Sequence, residues 1–392
     1  MPIKLSKRIN SSPPYAFAEV DKAVTNLKNQ GIKVIDLGVG DPSSPTPDFV
    51  IRELAQAGQR HADSGYPSYI GTEHFRQACA DYLHRNFSVR LDPATEICSS
   101  IGSKEAVFHF PLAFIDPGEI VICPTPGYPP YKNGTLFAGG IPYFVPLVKE
   151  NNFLIDFESI PASILKKTRV VWLNYPNSPT GALAPLDYLK RIADWAQTND
   201  IILACDEGCY IDIYYDQKPH SILEMGTKNI ITFYSLSKRN NMTCYRVGFC
   251  AGDADIIAGF KKLKTNLDSG TPTFIQDTAA LALADDQHVQ TMRQEYAQKM
   301  RLMLQALEQA GLPDCRPAST FYIWQQAPAG VTGVQLAEAF LAQGIVVTPG
   351  AWISDQTAEQ VNPGENYVRL ALVAPLGDIQ SACLRLNNCR LF

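Results

Sequence analysis

A lysine follows a run of hydroxyl residues in the stretch Tyr234-Ser235-Leu236-Ser237-Lys238, and Arg246 lies eight positions after that lysine. Hydroxyl groups and the planar fork of an arginine are well suited to holding a phosphate. A neighbouring cation disfavours the ammonium form of a lysine, which leaves a neutral amine able to attack an aldehyde. The spacing therefore predicts a lysine nucleophile beside a phosphate site, although the tetrapeptide alone is also typical of a surface turn.

A second phosphate site is predicted at the turn Gly102-Ser103-Lys104, where an amphipathic helix is expected to begin. Backbone N–H groups at the start of a helix, together with the helix dipole, attract anions. The plainer interpretation of a Gly-Ser pair before a helix is a simple cap.

Two further residues are suited to binding a ligand whose aromatic ring contains a nitrogen atom. Tyr128 lies in a proline-rich loop after a predicted strand, where a flat side chain can stack on another ring. Asp206 ends another predicted strand, and a buried carboxylate there can keep a ring nitrogen protonated, which makes the ring an electron sink. Taken singly, Tyr128 is more typical of packing and Asp206 of a helix cap.

In this order the motifs resemble those of the class I and II, fold-type I, pyridoxal-phosphate aminotransferases, and the resemblance covers almost the whole chain. It implies that Lys238 binds the cofactor covalently and moves the reacting proton, while Asp206 holds the ring nitrogen. It also implies that the ring stacks on Tyr128. The residues that would bind the phosphate are Gly102, Ser103, Lys104, Ser235 and Arg246.

The resemblance also implies a substrate site. The loop Asn177-Ser178-Pro179-Thr180-Gly181 is similar to a family loop that bonds the phenolic oxygen of the cofactor and helps to place the substrate carboxylate. Arg369 matches the arginine that binds the α-carboxylate, and a bidentate pair of this kind fixes orientation. Gly40 matches a loop whose backbone lies against the substrate, and Tyr128 borders the same place. Tyr66 matches a tyrosine that reaches the phosphate of a neighbouring subunit, which implies a homodimer with shared active sites.

Two departures from the family pattern leave alternatives open. Serine stands at position 178, where the family usually has asparagine, so either Ser178 or Asn177 is the expected donor to the phenolic oxygen. The family often has Asp-x-x-Tyr starting at the aspartate that holds the ring nitrogen, and the tyrosine also bonds the phenolic oxygen, but here one extra residue stands between Asp206 and Tyr210. Either Cys209 occupies the tyrosine position, or a bulge at Gly208 restores Tyr210, which is the favoured alternative.

The elements that must position these residues follow from hydrophobic periodicity. From about residue 95 to 285, short apolar runs near 120–122, 170–173, 201–204 and 230–233 alternate with amphipathic stretches. This pattern predicts an α/β fold with a mainly parallel, seven-stranded type of sheet flanked by helices. We predict an N-terminal segment (1–45), a large cofactor-binding domain (46–285) and a smaller α+β domain (286–392), with the N-terminal segment packed against the smaller domain.

Composition excludes several other classes of protein. The net charge of −5 and the scattered basic residues argue against nucleic-acid binding. No apolar run is long enough to predict a membrane span or a signal peptide. Ten cysteines without paired metal spacing predict free thiols in the cytoplasm, and Cys205 with Cys209 lacks the further ligands that zinc needs.

The expected reaction is transfer of an amino group between an L-amino acid and a 2-oxo acid such as 2-oxoglutarate. Residues 234–239, 361–364 and 373–375 resemble the branch that acts on LL-diaminopimelate or its N-succinyl derivative in lysine and cell-wall synthesis. Two alternatives stay open: another fold-type I enzyme, such as an alanine, aspartate or aromatic aminotransferase or a lyase, and a non-catalytic cofactor-binding protein.

Overall fold

The computed structural model describes residues 3–10, 18–29, 31, 33–389 and 391. Over these residues the strands are β1 (Ile35–Asp36), β2 (Ile97–Ser100), β3 (Ile120–Thr125), β4 (Ile141–Pro146), β5 (Thr168–Leu173), β6 (Ile202–Gly208), β7 (Ile230–Ser235), β8 (Gly248–Gly252), β9 (Tyr322–Gln326), β10 (Ile345–Val346), β11 (Thr348–Pro349) and β12 (Tyr367–Ala371).

The α-helices surround these strands. They are α1 (Lys7–Asn10), α2 (Ala18–Asn29), α3 (Asp48–Arg60), α4 (Glu73–Phe87), α5 (Ser103–His109), α6 (Pro111–Phe114), α7 (Pro129–Ala138), α8 (Ala162–Leu165), α9 (Leu186–Thr198), α10 (Leu236–Arg239), α11 (Ala254–Lys264), α12 (Thr273–Ala284), α13 (Gln287–Gln309), α14 (Gly333–Ala342) and α15 (Leu376–Asn387). Short 3₁₀ turns occur at Lys149–Asn151, Ile222–Met225, Thr243–Tyr245 and Gly350–Trp352.

The central sheet has seven strands in the order β2-β8-β7-β6-β5-β3-β4, and β8 runs opposite to the other six. All four apolar runs predicted to be strands are strands: they form β3, β5, β6 and β7. The mainly parallel sheet flanked by helices is thus confirmed. Because helices cover both faces of such a sheet, its strands are apolar along most of their length rather than alternating.

Two apolar clusters cover the two faces of the central sheet. One of them contains a group of packed aromatic rings: Phe110 packs against Trp172 and Phe233, with ring centroids 5.9 and 5.5 Å away. Tyr131 stacks on Trp172 at 4.7 Å with the rings nearly parallel. Ring pairs in these arrangements add about 0.5–1.5 kcal/mol beyond simple burial. This packing fixes the side of the sheet from which Tyr131 reaches the site described below.

Two smaller sheets lie outside the central one, β1 paired with β10 and β11-β12-β9. Ile35 and Leu37 are buried in a cluster with residues of α13, α14 and α15, so the segment that contains β1 packs with the C-terminal part of the chain. The domain boundaries at residues 45 and 286 stay predictions. Residues 1, 2, 11–17, 30 and 32 of the predicted N-terminal segment, and residues 390 and 392, lie outside the described residues.

None of the helices in the described part of the chain combines the length and the apolar character needed to cross a lipid bilayer.

Candidate active site

A cavity of about 320 Å³ opens where β3, β5, β6 and β7 end. Crevices at the carboxyl ends of parallel strands are the usual ligand sites of such sheets. Most of the predicted site residues line it. They are Gly40, Ser103, Lys104, Tyr128, Ser178, Asp206, Tyr210, Ser235, Lys238, Arg246 and Arg369.

The lysine is presented by the short helix α10 directly after β7. Ser235 caps this helix: its side chain accepts a hydrogen bond from the Ser237 N–H at 3.2 Å, and its hydroxyl is 2.8 Å from that of Ser237. The Lys238 ammonium donates to the carbonyl oxygen of Gly40. The amine therefore lies in the cavity, against the loop expected to border the substrate.

The residue after the lysine anchors this helix in the protein interior. Arg239 is only 4% exposed and forms ion pairs with Asp212 at 3.1 Å and with Asp286 at 2.5 Å. Its guanidinium also donates to the Ala282 carbonyl at 3.0 Å and lies 5.1 Å from the centre of the Tyr82 ring. Removing one partner of a buried ion pair typically costs about 3–5 kcal/mol, so this cluster strongly restrains the position of Lys238.

Asp206 is buried at the end of β6 with one oxygen unused. Its Oδ2 accepts a hydrogen bond from the Tyr131 hydroxyl at 2.9 Å, whereas Oδ1 has no hydrogen-bond partner among the described residues. Burial raises the pKa of Asp206 to about 6, and hydrogen bonds from Tyr131 and Cys209 limit that rise. A buried carboxylate with a free oxygen at a cavity wall suits a protonated ring nitrogen, which would supply both the missing donor and the missing positive charge.

Another group of residues that line the cavity can hold an anion. Arg246 donates to the Thr243 carbonyl at 2.7 Å and has no carboxylate partner within the described part of the chain. Gly102 does not line the cavity but lies against Arg246, since a Cβ at position 102 would be 2.4 Å from Nη2. Gly102 also has φ +72°, which glycine tolerates best. Ser103 and Ser235 complete a set of groups that fits a phosphate.

The loop after β5 separates the two alternative donors to the phenolic oxygen. Asn177 is 1% exposed, and its amide is engaged within the loop, with Nδ2 donating to Asn174 O at 3.1 Å and Oδ1 accepting from Thr180 Oγ1 at 2.7 Å. It does not line the cavity, whereas Ser178 does. Asn174 also faces the cavity and is held by bonds to Asp206 O at 2.5 Å and from Ser178 N at 2.8 Å. The geometry thus favours Ser178 over Asn177.

The extra residue after Asp206 coincides with an irregularity in the sheet. The pairing of β6 with β7 shifts register between Cys205 and Gly208, as in a β-bulge. Beyond it both alternatives reach the cavity. Cys209 Sγ is 3.2 Å from Ser103 Oγ, on the side of the phosphate groups, whereas the Tyr210 hydroxyl is 3.2 Å from that of Tyr322, beside Arg369.

Arg369 is held in place by the backbone and by an aromatic ring. Its Nη2 donates to Gly38 O at 2.9 Å, and its guanidinium lies 4.6 Å from the centre of the Tyr322 ring. Its Nε is buried and has no hydrogen-bond partner among the described residues. A Cβ at Gly40 would be 1.9 Å from the Tyr322 hydroxyl, so the loop closes tightly on this ring. The arginine keeps donors free for a carboxylate in a fixed orientation.

The two remaining aromatic candidates lie in different environments. Tyr128 lines the cavity, with its ring 5.8 Å from that of Tyr131. Tyr66 is 90% exposed and lies outside the cavity of its own chain.

Three residues at the site were not assigned by sequence reasoning: Tyr131, Asn174 and Tyr322. Tyr131 lies three residues after Tyr128, and Asn174 lies three residues before Asn177, so both could have been found as polar groups next to predicted site residues. Tyr322 lies in an apolar strand pattern, which gives no sign of a role at a cavity.

Comparisons with known proteins agree with this geometry. The family model described as aminotransferase class I and II matches residues 32–374. The chain is 43% identical to the LL-diaminopimelate aminotransferase of Aquifex aeolicus, over 99% of this chain and 100% of that protein. Two solved structures from Thermus thermophilus are also similar. A probable N-succinyldiaminopimelate aminotransferase is 27% identical, with TM-score 0.87 and coverage of 95% and 99% of the two chains. An aspartate aminotransferase mutant is 26% identical, with TM-score 0.90 and complete coverage of both chains.

The raised pKa of Asp206 predicts how its replacement changes stability. Since its pKa is higher in the folded cofactor-free protein than the ordinary 3.8, ionisation destabilises the fold progressively as pH rises towards about 6. We expect Asp206→Asn to raise the melting temperature of the cofactor-free protein near pH 8 and to have a much smaller effect near pH 4. Thermal unfolding at both pH values measures this, with the exposed Asp194→Asn as control. A melting-temperature difference that does not change with pH would contradict the proposed cost.

Because the Tyr322 ring lies against the Arg369 guanidinium, we expect two substitutions of Tyr322 to change the KM for the amino donor by different amounts. Tyr322→Phe keeps the ring, so the KM for the amino donor should stay within about threefold of the wild-type value. Tyr322→Leu removes a cation–π contact of about 0.5–2 kcal/mol, and the KM should rise about tenfold. Steady-state kinetics compares them, with circular dichroism as a check of folding. Equal KM values in the two variants would show that the ring does not orient Arg369.

Proposed function

The chain belongs to the class I and II aminotransferase family, and from that premise we propose that it transfers an amino group from LL-diaminopimelate to 2-oxoglutarate. That it is a pyridoxal-phosphate-dependent aminotransferase acting on amino acids and 2-oxo acids follows from the family and from relatives that match over their whole length. The choice of donor is supported by several relatives described as LL-diaminopimelate aminotransferases at 38–43% identity. This assignment would place the enzyme in lysine biosynthesis.

The observation that carries the proposal is the free oxygen of Asp206 in a cavity that also holds Lys238 and Arg369. Pyridoxal phosphate supplies an aldehyde that condenses with amines and a protonated ring that accepts the electron pair of a carbanion. We assign the ring nitrogen to Asp206, the phosphate to Arg246 with Ser103 and Ser235, and the phenolic oxygen to Ser178 or Tyr210.

Lys238 would have two tasks. Its amine would hold the cofactor before the amino donor arrives, and once displaced it would act as the base that takes the proton from the substrate α-carbon and as the acid that gives it up again. Both tasks need an amine that stays in one place, which the Arg239 cluster and the Gly40 carbonyl provide. Arg369 would orient the α-carboxylate so that the reacting C–H bond points at the lysine.

We further propose that the enzyme is a cytoplasmic homodimer with shared active sites. Tyr66 projects from its own chain, as expected of a side chain that completes the phosphate site of a partner. All ten cysteines are free thiols, which suits a reducing compartment.

A panel of amino donors with 2-oxoglutarate tests the function. It includes LL-diaminopimelate, its N-succinyl derivative, alanine, aspartate and an aromatic amino acid, and it measures glutamate formed. We expect LL-diaminopimelate to have the highest kcat/KM, by about a hundredfold over alanine. Lys238→Ala should abolish turnover together with the visible absorbance of the bound cofactor, because the covalent link is lost.

The exposed Lys190→Ala is the matched control and should keep both turnover and absorbance. Turnover of the N-succinyl derivative alone would contradict the choice of donor but not the family. Full turnover by Lys238→Ala would overturn the role of the lysine.

A further inference from the structure

A second groove, lined by other residues than the catalytic cavity, is rich in arginine. It has a volume of about 520 Å³ and lies between one face of α13 and the segments around Tyr214 and Arg316. Gln290, Arg293 and Arg301 are among the α13 residues that line it. Their spacing places them along one side of the helix. We call this feature the arginine groove.

Its three arginines lack acidic partners in the part of the chain that the structure describes. The guanidinium of Arg293 lies over the ring of Tyr214, 4.5 Å from its centre, and those of Arg301 and Arg316 form no ion pair or hydrogen bond with any described residue. The acidic residue that lines the groove is Asp216, which is exposed. The lining therefore has an excess of positive charge, and neighbouring like charges repel one another unless an anion is bound.

The same chain uses arginines without acidic partners in its catalytic cavity. There, Arg246 and Arg369 keep donors free, and we assign them to a phosphate and a carboxylate. In the groove, Arg293, Arg301 and Arg316 lie around one cavity, and none of them has an acidic partner among the described residues. In this respect they resemble the two arginines that we assign to anions.

The lining defines the chemistry of the ligand. Guanidinium groups form bidentate pairs with carboxylates, and the amides of Gln290 and Gln294 can donate to hydroxyl or carboxylate oxygens. Three cations spread over the groove match an anion that carries several carboxylates better than one with a single charge.

The walls of the groove continue directly into the catalytic cavity. Tyr214 follows Tyr210 by four residues, and Tyr322 follows Arg316 by six. These two segments are bonded to each other: Thr320 N donates to Ile213 O at 2.8 Å, and the Tyr215 hydroxyl donates to Thr320 O at 2.5 Å. A ligand that binds both segments would thus shift them relative to each other. Because the same segments lead to Tyr210 and Tyr322, the contact between these two hydroxyl groups would change as well.

We propose that the arginine groove binds a small polycarboxylate anion and that its occupancy changes the affinity of the catalytic cavity for the amino donor. The groove shares no lining residue with the catalytic cavity. Binding of an anion to the groove would therefore not depend on which amino acid the enzyme uses.

Isothermal titration of the cofactor-loaded enzyme with citrate tests the binding, with acetate at matched ionic strength as the ligand control. The test variant is Arg301→Gln/Arg316→Gln, because both side chains are exposed and their loss should not disturb folding. The exposed pair Arg52→Gln/Arg90→Gln removes the same charge elsewhere. We expect citrate to bind the wild type and the control pair, and to bind the test variant at least about tenfold more weakly, because two charged donors are lost; tenfold corresponds to about 1.4 kcal/mol.

The KM for the amino donor, measured with and without citrate, tests the coupling. We expect citrate to change this KM at least about threefold in the wild type and to leave it unchanged in the test variant. Citrate binding that is lost in Arg369→Gln but retained in the test variant would assign the anion to the catalytic cavity and overturn the proposal. Absence of binding to the wild type, or binding without a change in KM, would overturn it as well.

Discussion

The site depends on a carboxyl group that the fold buries without a cation. Asp206 lies near the end of a central strand, where burial raises its pKa to about 6 although the Tyr131 hydroxyl donates to it. Such burial costs free energy unless the charge is paired. One oxygen of Asp206 has no partner among the described residues, so the ring nitrogen that we assign to it would offset that cost on binding. On this proposal, the empty fold is less stable, and the cofactor binds more tightly with its ring protonated.

Several distant segments are organised around this carboxyl group. Tyr131, which donates to it, is held by its stack on Trp172 in the aromatic core. The backbone of Lys238 is held by the buried ion pairs of the next residue, Arg239, and its amine is held by the carbonyl oxygen of Gly40. Arg369 is set by Gly38 and by the Tyr322 ring. Each of these side chains is thus restrained by a neighbouring group that limits its conformations. Such restraint holds the groups of a site in a fixed geometry.

Much of the fold could be predicted from the sequence, because the central strands are buried on both faces and read as uninterrupted apolar runs. Lys238 could be proposed because a lysine after a hydroxyl-rich turn stands out from an apolar pattern, whereas the role of Arg369 was implied only by the resemblance to the family. Tyr322 could not, since its strand looks like ordinary core and its partner Tyr210 is 112 residues away. The register shift that precedes Cys209 and Tyr210 could not be predicted either, because it is a property of the β6–β7 pair.

The protonation state of the cofactor ring is the most direct test of the role given to Asp206. Magnetic resonance of the holoenzyme, reconstituted with pyridoxal phosphate carrying an isotopically labelled ring nitrogen, reports whether that nitrogen bears a proton. A protonated ring nitrogen in the wild type at neutral pH and an unprotonated one in Asp206→Asn are the predicted results. An unprotonated nitrogen in the wild type, or the same signal in both proteins, would contradict the account.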